Sequence, residues 1–265
     1  MIGLIIIGDE ILSGRRQDKH LAKAIELLSE RGMAVSWVRY VGDDPARITA
    51  DLQYAFDSGD VVFSFGGIGA TPDDHTRACA AKALGRELVL HPEAKPLILA
   101  RGKLMADQAG EPFDPDSDQS LRRLQMGMYP EGADIIPNPY NQIPGFTMLG
   151  RVHFVPGFPV MAWPMVAWVL DTLHADLHDS ARVLEKSIVV YRGIESVLTP
   201  LMAEVESRFA PAKVFSLPSE DHPVHGRHID LGVKGAPELV ERAFDHLLDG
   251  LNKIGASLGP ILVRT

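Results

Sequence analysis

The chain opens on Ile2–Ile7 (IGLIII), an unbroken and largely β-branched apolar run. That is the pattern of a strand covered on both faces, and Gly8 ends it. Over residues 18–31 the apolar positions switch to helical spacing, with Leu21, Ala24, Ile25 and Leu28 in phase and Gly32 to close the helix. Residues 34–41 read as a second strand, followed by the turn Gly42-Asp43-Asp44-Pro45. Residues 45–58 place Ile48, Leu52, Ala55 and Phe56 on one helical face. Residues 60–65 give a third strand, and residues 71–84 a third helix ended by Gly85. Three strand–helix alternations predict a mainly parallel sheet with helices on both faces.

Beyond that core the periodicity predicts a short strand at 88–90, a helix over 92–107, a polar loop over 110–118 and a helix over 120–128. A Pro- and Gly-rich stretch follows, with short strands at 134–136, 146–149 and 152–155. Trp163 and Trp168 with Met161 and Met165 form the apolar face of a further helix. Residues 174–182 (HADLHDSAR) are a polar connector. After it come a strand (186–191), a helix (195–209), strands at 213–217 and 228–233, and a helix (237–254). The expected organisation is an α/β domain over 1–172 and a small β-α-β-β-α domain over 183–265.

Composition narrows the partners. Lys and Arg total 26 against 35 Asp and Glu, a formal charge of -9, which argues against a nucleic-acid surface needing clustered cations. One cysteine, Cys79, allows no intrachain disulfide and reads as a small core residue. The opening apolar run is too short for a signal peptide or a membrane span. The expectation is a cytoplasmic protein that engages no membrane.

The densest chemistry lies in Gly66-Gly67-Ile68-Gly69-Ala70-Thr71-Pro72-Asp73-Asp74-His75-Thr76. Gly66, Gly67 and Gly69 let the backbone turn sharply and approach a ligand. Their N–H groups, with a helix N-terminus behind them, form an anion site. Thr71 is the expected N-cap, with Pro72 at the first helical position. A tight connection in which Asp73 and Asp74 merely complement the helix dipole would explain the aspartates. It would not explain the glycines.

Asp9 and Glu10 follow strand one, and Asp43 and Asp44 follow strand two. Alone, the first pair reads evenly as ligand-binding or as a cap of the next segment, and the second reads first as a turn. Together they place carboxylates on the sheet edge where open α/β sheets bind ligands. Carboxylates beside a phosphate loop would repel the ligand unless a hard divalent cation, Mg²⁺ or similar, bridges them. Asp9, Asp73 or Asp74 are the expected ligands or supporting groups. His222, His225 and His228 fall in a hairpin turn and read as solvated rather than metal-binding. The chain has no Walker A loop, nucleophile elbow or dinucleotide fingerprint.

GDEILSG at 8–14, VGDD at 41–44 and GGIGATPDDHT at 66–76 resemble signature segments of the molybdopterin-binding-like domain of the CinA (competence/damage-inducible) family. PEGADIIPNP at 130–139, IPGF at 143–146 and VPGFP at 155–159 continue the pattern in order, so the resemblance covers residues 1–170. It implies a three-layer, mainly parallel MogA-like sheet with a smaller KH-like α/β domain behind it. It leaves no room for the family's C-terminal amidohydrolase domain. It implies a phosphorylated small-molecule partner, molybdopterin or a nucleotide, and either adenylylation or metal-dependent cleavage of ADP-ribose. By position, Gly66, Gly67, Gly69, Thr71 and Thr76 would bind phosphate, with Asp9, Asp43, Pro156 and Gly157 along the same edge. Asp73 and Asp74 would be catalytic, Asp9 and Asp74 would hold the cation, and the chain would form a homo-oligomer. The chain departs from the family pattern at Lys19-His20, Phe65, Ala70, Asn141-Gln142 and Met161. Those departures fall in the ligand pocket and bear on substrate and catalysis.

Overall fold

The computed structural model describes residues 1–178 and 184–264. The chain divides into two compact units, Met1–His178 and Asp179–Thr265. The expected start of the second domain at residue 183, and much of the expected connector, lie outside the described residues.

The first unit is built on β1 (Ile2–Ile7), every residue of which is buried. It pairs in parallel with β2 (Trp37–Val41) on one side and β3 (Val61–Phe65) on the other. A fourth parallel strand, β8 (Val152–Val155), pairs with β3. Two antiparallel strands, β7 (Gly145–Met148) and β6 (Asp134–Ile136), complete a six-stranded sheet in the order β2-β1-β3-β8-β7-β6. The mostly parallel sheet of the sequence reading is therefore present. Core side chains fill both of its faces. Ile5, Leu52, Phe146 and Phe154 sit in one cluster, and Leu4, Phe63, Met165 and Val166 in the other.

The helices are α1 (Asp9–Leu12), α2 (His20–Ser29), α3 (Pro45–Ser58), α4 (Thr76–Leu84), α5 (Ala94–Ala109), α6 (Asp118–Leu124) and α7 (Pro159–Thr172). Helix α3 keeps the expected bounds because its ends are written locally. Asp44 accepts from the Arg47 N–H, Pro45 occupies the first turn, and Gly59 takes the left-handed conformation. Several boundaries differ from expectation. β2 starts at Trp37 rather than 34, just after the Ser36 N–H makes its bond to the Ile2 carbonyl of β1 (2.7 Å). The one-turn helix α1 was not foreseen. β4 (Leu88–Leu90) does not join the main sheet but pairs with β5 (Met128–Pro130) in a separate ribbon. The helix expected from residue 71 begins only at Thr76.

The second unit is an antiparallel sheet in the order β10-β11-β9-β12 with two helices. Its elements are β9 (Leu184–Tyr191), α8 (Glu195–Arg208), β10 (Lys213–His222), β11 (Gly226–Gly235), α9 (Pro237–Lys253) and β12 (Ser257–Arg264). Ile188, Val190, Leu198, Val205, Leu231 and Phe244 form its core. The final strand β12 was not anticipated. It carries Pro260 on an edge, beside a shift in register between Leu258 and Ile261, which is where a sheet tolerates a residue without an N–H. The histidines of the β10–β11 hairpin are not all solvated. His228 is buried, and the His222 and His225 rings stack 4.9 Å apart.

Among the described residues no helix is long and apolar enough to cross a membrane.

Candidate functional site

All four parallel strands end on the same edge of the first sheet. Their exits are Gly8-Asp9, Gly42-Asp43, Gly66-Gly67 and Pro156-Gly157. The ladder runs on into the exits, since Gly8 N–H donates to Val41 O and Gly66 N–H to Val155 O, both at 3.0 Å. Gly157 backs directly onto Gly66; a Cβ there would sit 3.4 Å from Gly66 Cα.

The glycine loop leaves β3 through Gly66 (φ +97) and Gly67 (φ +68), conformations that side chains resist. A Cβ on Gly66 would stand 2.6 Å from the Ile7 carbonyl oxygen. One on Gly69 would stand 2.5 Å from Asp74 Oδ2. Each close approach is to the protein's own atoms. The loop's donors are likewise committed. The Asp74 carboxylate accepts from Gly69 N–H (2.8 Å), Thr71 N–H (2.8 Å) and the Thr71 hydroxyl (2.5 Å). Thr71 is thus not the cap of α4, and Pro72 is not its first residue. The aspartate folds back across the loop and delays the helix by about a turn. Thr76 is fully buried, and its hydroxyl donates to Gly66 O at 3.0 Å. Beneath the loop lies Arg77, a buried cation that sequence reasoning missed, donating to the Ile68 carbonyl. Burial pulls its guanidinium below the ordinary arginine range, and Asp74 opposes that shift.

Asp9 and Asp43 meet. Asp9 N–H donates to Asp43 Oδ2 (2.9 Å), and Asp43 N–H donates to Asp9 Oδ1 (3.1 Å). Partial burial pushes the Asp43 carboxyl above its ordinary range; the Asp9 N–H opposes this, while the charges of Asp9, Glu10 and Asp73 add to it. Asp73 is exposed and belongs electrostatically with this group, whereas Asp74 belongs with Arg77. The expected pairing of Asp9 with Asp74 around one cation is not what the side-chain partners describe. Asp74 has both oxygens engaged, while Asp9 and Asp43 each keep one oxygen without a partner among the described residues. Among the described residues no group of three or more His, Cys, Asp or Glu is placed to hold a metal ion by itself.

A cleft of about 270 Å³ opens beside these exits, between the end of β1, the α1–α2 connection, Phe65 and the turn into α7. Its buried wall is His20. The ring stacks on Phe65 with centroids 4.6 Å apart, and Nε2 lies 3.1 Å from the Gly157 carbonyl oxygen. Burial holds His20 below the ordinary histidine range, partly offset by the Gly157 carbonyl and Asp18. Asp18 fixes the start of α2, accepting from His20 N–H (2.8 Å), Leu21 N–H (3.2 Å) and the Tyr40 hydroxyl (2.8 Å). The Tyr40 hydroxyl is pushed up to about 12 by burial and by that carboxylate. Two of the departures from the family pattern also touch: Asn141 Nδ2 lies 3.3 Å from Met161 Sδ. The polar residue two places before a helix was the one signal of the Asp18 cap; His20 was marked only as a departure from the family pattern, and nothing local announced Arg77.

A family model described as "Probable molybdopterin binding domain" matches residues 3–175. A CinA-like protein of Mycobacterium marinum is 36% identical over 169 residues, covering 62% of this chain and 39% of that protein. A CinA-like protein of Mycobacterium tuberculosis is 35% identical over 212 residues, covering 77% of this chain and 49% of that one. The chain thus spans half or less of the length of the curated relatives it matches. The crystal structure of the protein CinA from Thermoplasma acidophilum, itself described as of unknown function, aligns with a TM-score of 0.53 at 27% identity. It covers 65% of this chain and 98% of that one.

Proposed function

The chain belongs to the molybdopterin-binding domain family, with CinA-like proteins among its relatives, and from that premise we propose that its first unit binds a phosphate-bearing pterin or nucleotide in the cleft beside His20. The observation that carries this reading is that the ends of three parallel strands, β1, β3 and β8, line one cleft of about 270 Å³. That is the crevice in which open α/β sheets take ligands, near the lower end of the roughly 300–1,000 Å³ typical of small-molecule sites. Its floor of Ile6, Ile7, Phe65 and Phe158 suits a planar heterocycle, and Arg16 and Lys19 supply cations.

A second reading, hydrolysis of a nucleotide pyrophosphate such as ADP-ribose, is favoured by the Asp9–Asp43 pair. Mg²⁺ commonly uses one or two carboxylates together with substrate phosphates rather than an all-protein cage. The two unpartnered oxygens fit that use, and Asp74 does not. A bound cation would supply polarisation of the phosphoanhydride. The chain's own part would be to hold the ligand against the Asp9–Asp43 corner and to keep the Asp74-braced loop rigid.

Calorimetric titration of the full chain with AMP, ADP-ribose and molybdopterin tests the first reading. Binding of one of them with Kd below about 1 mM supports it, and no heat from any of them refutes it. Release of AMP from ADP-ribose with Mg²⁺, Mn²⁺ or Co²⁺, lost in both Asp9→Asn and Asp43→Asn, supports the second. Binding without release leaves a non-catalytic binder.

A further inference from the structure

The β10–β11 hairpin of the second unit carries His222, His225 and His228 at even spacing. The proposed function uses none of them. The hairpin folds them into one triangle. The His222 and His225 ring centres lie 4.9 Å apart, those of His222 and His228 5.2 Å, and those of His225 and His228 5.6 Å. Three imidazoles bound to one tetrahedral ion have their ring centres about 3.2 Å from it, and so about 5 Å from one another. The spacing is that of a three-histidine site whose rings have not yet turned to a common point.

His228 is the fixed member. Its ring is buried, and Nδ1 donates to the Gly226 carbonyl oxygen at 2.8 Å. That bond sets the tautomer and leaves Nε2 with its lone pair, which is how a backbone carbonyl orients a metal-bound histidine. Nε2 has no protein partner among the described residues, and it is not one of the atoms cut off from solvent. His225 is half-buried, with the Tyr191 hydroxyl of β9 3.4 Å from its Nδ1. By accepting from Nδ1, that hydroxyl leaves Nε2 of His225 free as well. His222 is exposed, and its Nδ1 accepts from the Val224 N–H (3.3 Å) and the His225 N–H (3.1 Å). It is the member that must move. Ligation through Nε2 transfers its proton to Nδ1 and exchanges two long hydrogen bonds for one coordinate bond. Until then the His222 and His225 rings stack, and among the described residues no three such groups converge.

We propose that the hairpin tip is a three-histidine site for a divalent transition ion such as Zn²⁺, ligated by Nε2 of His222, His225 and His228, with the fourth position left to water. Neutral imidazoles suit zinc and its neighbours rather than the oxygen-seeking Mg²⁺ considered for the Asp9–Asp43 corner. The ion fastens the exposed end of β10 to the buried His228 of β11 and reshapes the turn between them.

The test is competition for Zn²⁺ between a chromogenic chelator and the full chain. The wild type should take up one ion with a Kd below about 1 µM, and excess Mg²⁺ should not displace it. His222→Ala and His225→Ala should each weaken uptake at least about tenfold. These two variants carry the test because they lie at the tip, whereas His228 is part of the buried sheet. His246→Ala, whose ring is bonded to Glu204 at 2.8 Å, should leave uptake unchanged. In ¹H–¹⁵N spectra the Val224 and His225 amide resonances should move together as Zn²⁺ is added. No uptake by the wild type, unaltered affinity in either tip variant, an equal loss in His246→Ala, or unmoved amides overturns the proposal.

Discussion

Removing the Asp74 carboxylate should loosen the glycine loop and open an anion site that the native chain keeps filled. Asp74→Ala deletes three hydrogen bonds, from Gly69 N–H, Thr71 N–H and the Thr71 hydroxyl. Bonds to a charged group contribute about 1.5–3 kcal/mol each when buried. Thr71 is exposed and Asp74 half-buried, so about 1 kcal/mol each is the better figure, roughly 3 kcal/mol in all. For a unit of this size that is a fall in Tm of about 6–12 °C. The freed N–H groups should then take a diffusible anion. Phosphate or sulfate at about ten times its Kd would return about 1.4 kcal/mol. Thermal unfolding followed by circular dichroism, with and without sulfate, reads both effects. A variant melting within about 2 °C of wild type, or one that sulfate stabilises no more than it stabilises wild type, would refute the claim that Asp74 is the loop's own anion.

Two further predictions concern the frame of the site. Gly66→Ala forces a Cβ to 2.6 Å from a β1 carbonyl at φ +97, while Gly14→Ala at φ +71 meets nothing within 4 Å. The first should cost at least about 2 kcal/mol more than the second in urea unfolding, since only the second is limited to conformational strain of roughly 1–2 kcal/mol; equal costs would discredit the close approach. His153, bonded to Thr147 and His174 inside the first unit, is depressed by burial from 6.5 to about 3. Because the native state refuses a proton that the unfolded chain accepts, its contribution is complete above pH 6.5 and declines as pH falls towards 3. By pH 5 the loss is about 2 kcal/mol, so a His153→Phe variant should show a correspondingly shallower loss of stability between pH 7.5 and 5. Parallel pH profiles would contradict the burial.

What the sequence made legible was written locally. β1 matched residue for residue because burial on both faces leaves an apolar run with nothing to interrupt it. α3 matched because Asp44, Pro45 and Gly59 mark its ends. The same letters misled at Thr71-Pro72-Asp73-Asp74, since a cap and a loop brace use the same residue types. Only the direction in which the Asp74 side chain folds separates them, reaching back five residues to Gly69. β12 escaped because a proline inside an edge strand resembles a loop. The His20–Gly157 contact spans 137 positions, and no window along the chain contains both halves of it. The strand exits were therefore foreseeable, and His20 and Phe65 could be marked as pocket residues by resemblance, while their contact with each other and with Gly157 could not.

The pairing of β3 with β8 joins residues 61–65 to residues 152–155, with the helices α4, α5 and α6 between them. Contacts of that sequence separation carry a loop-closure cost that is recovered only when the strands meet. Since Gly157 follows β8 and meets both Gly66 and His20, the cleft has no rudimentary form in a half-folded chain. A nascent polypeptide carrying β1, β2 and β3 has the acidic corner and the glycine loop but nowhere to seat a heterocycle. If the proposed binding holds, ligand capture would report that β8 has joined β3, and would not be expected of a chain that ends before it.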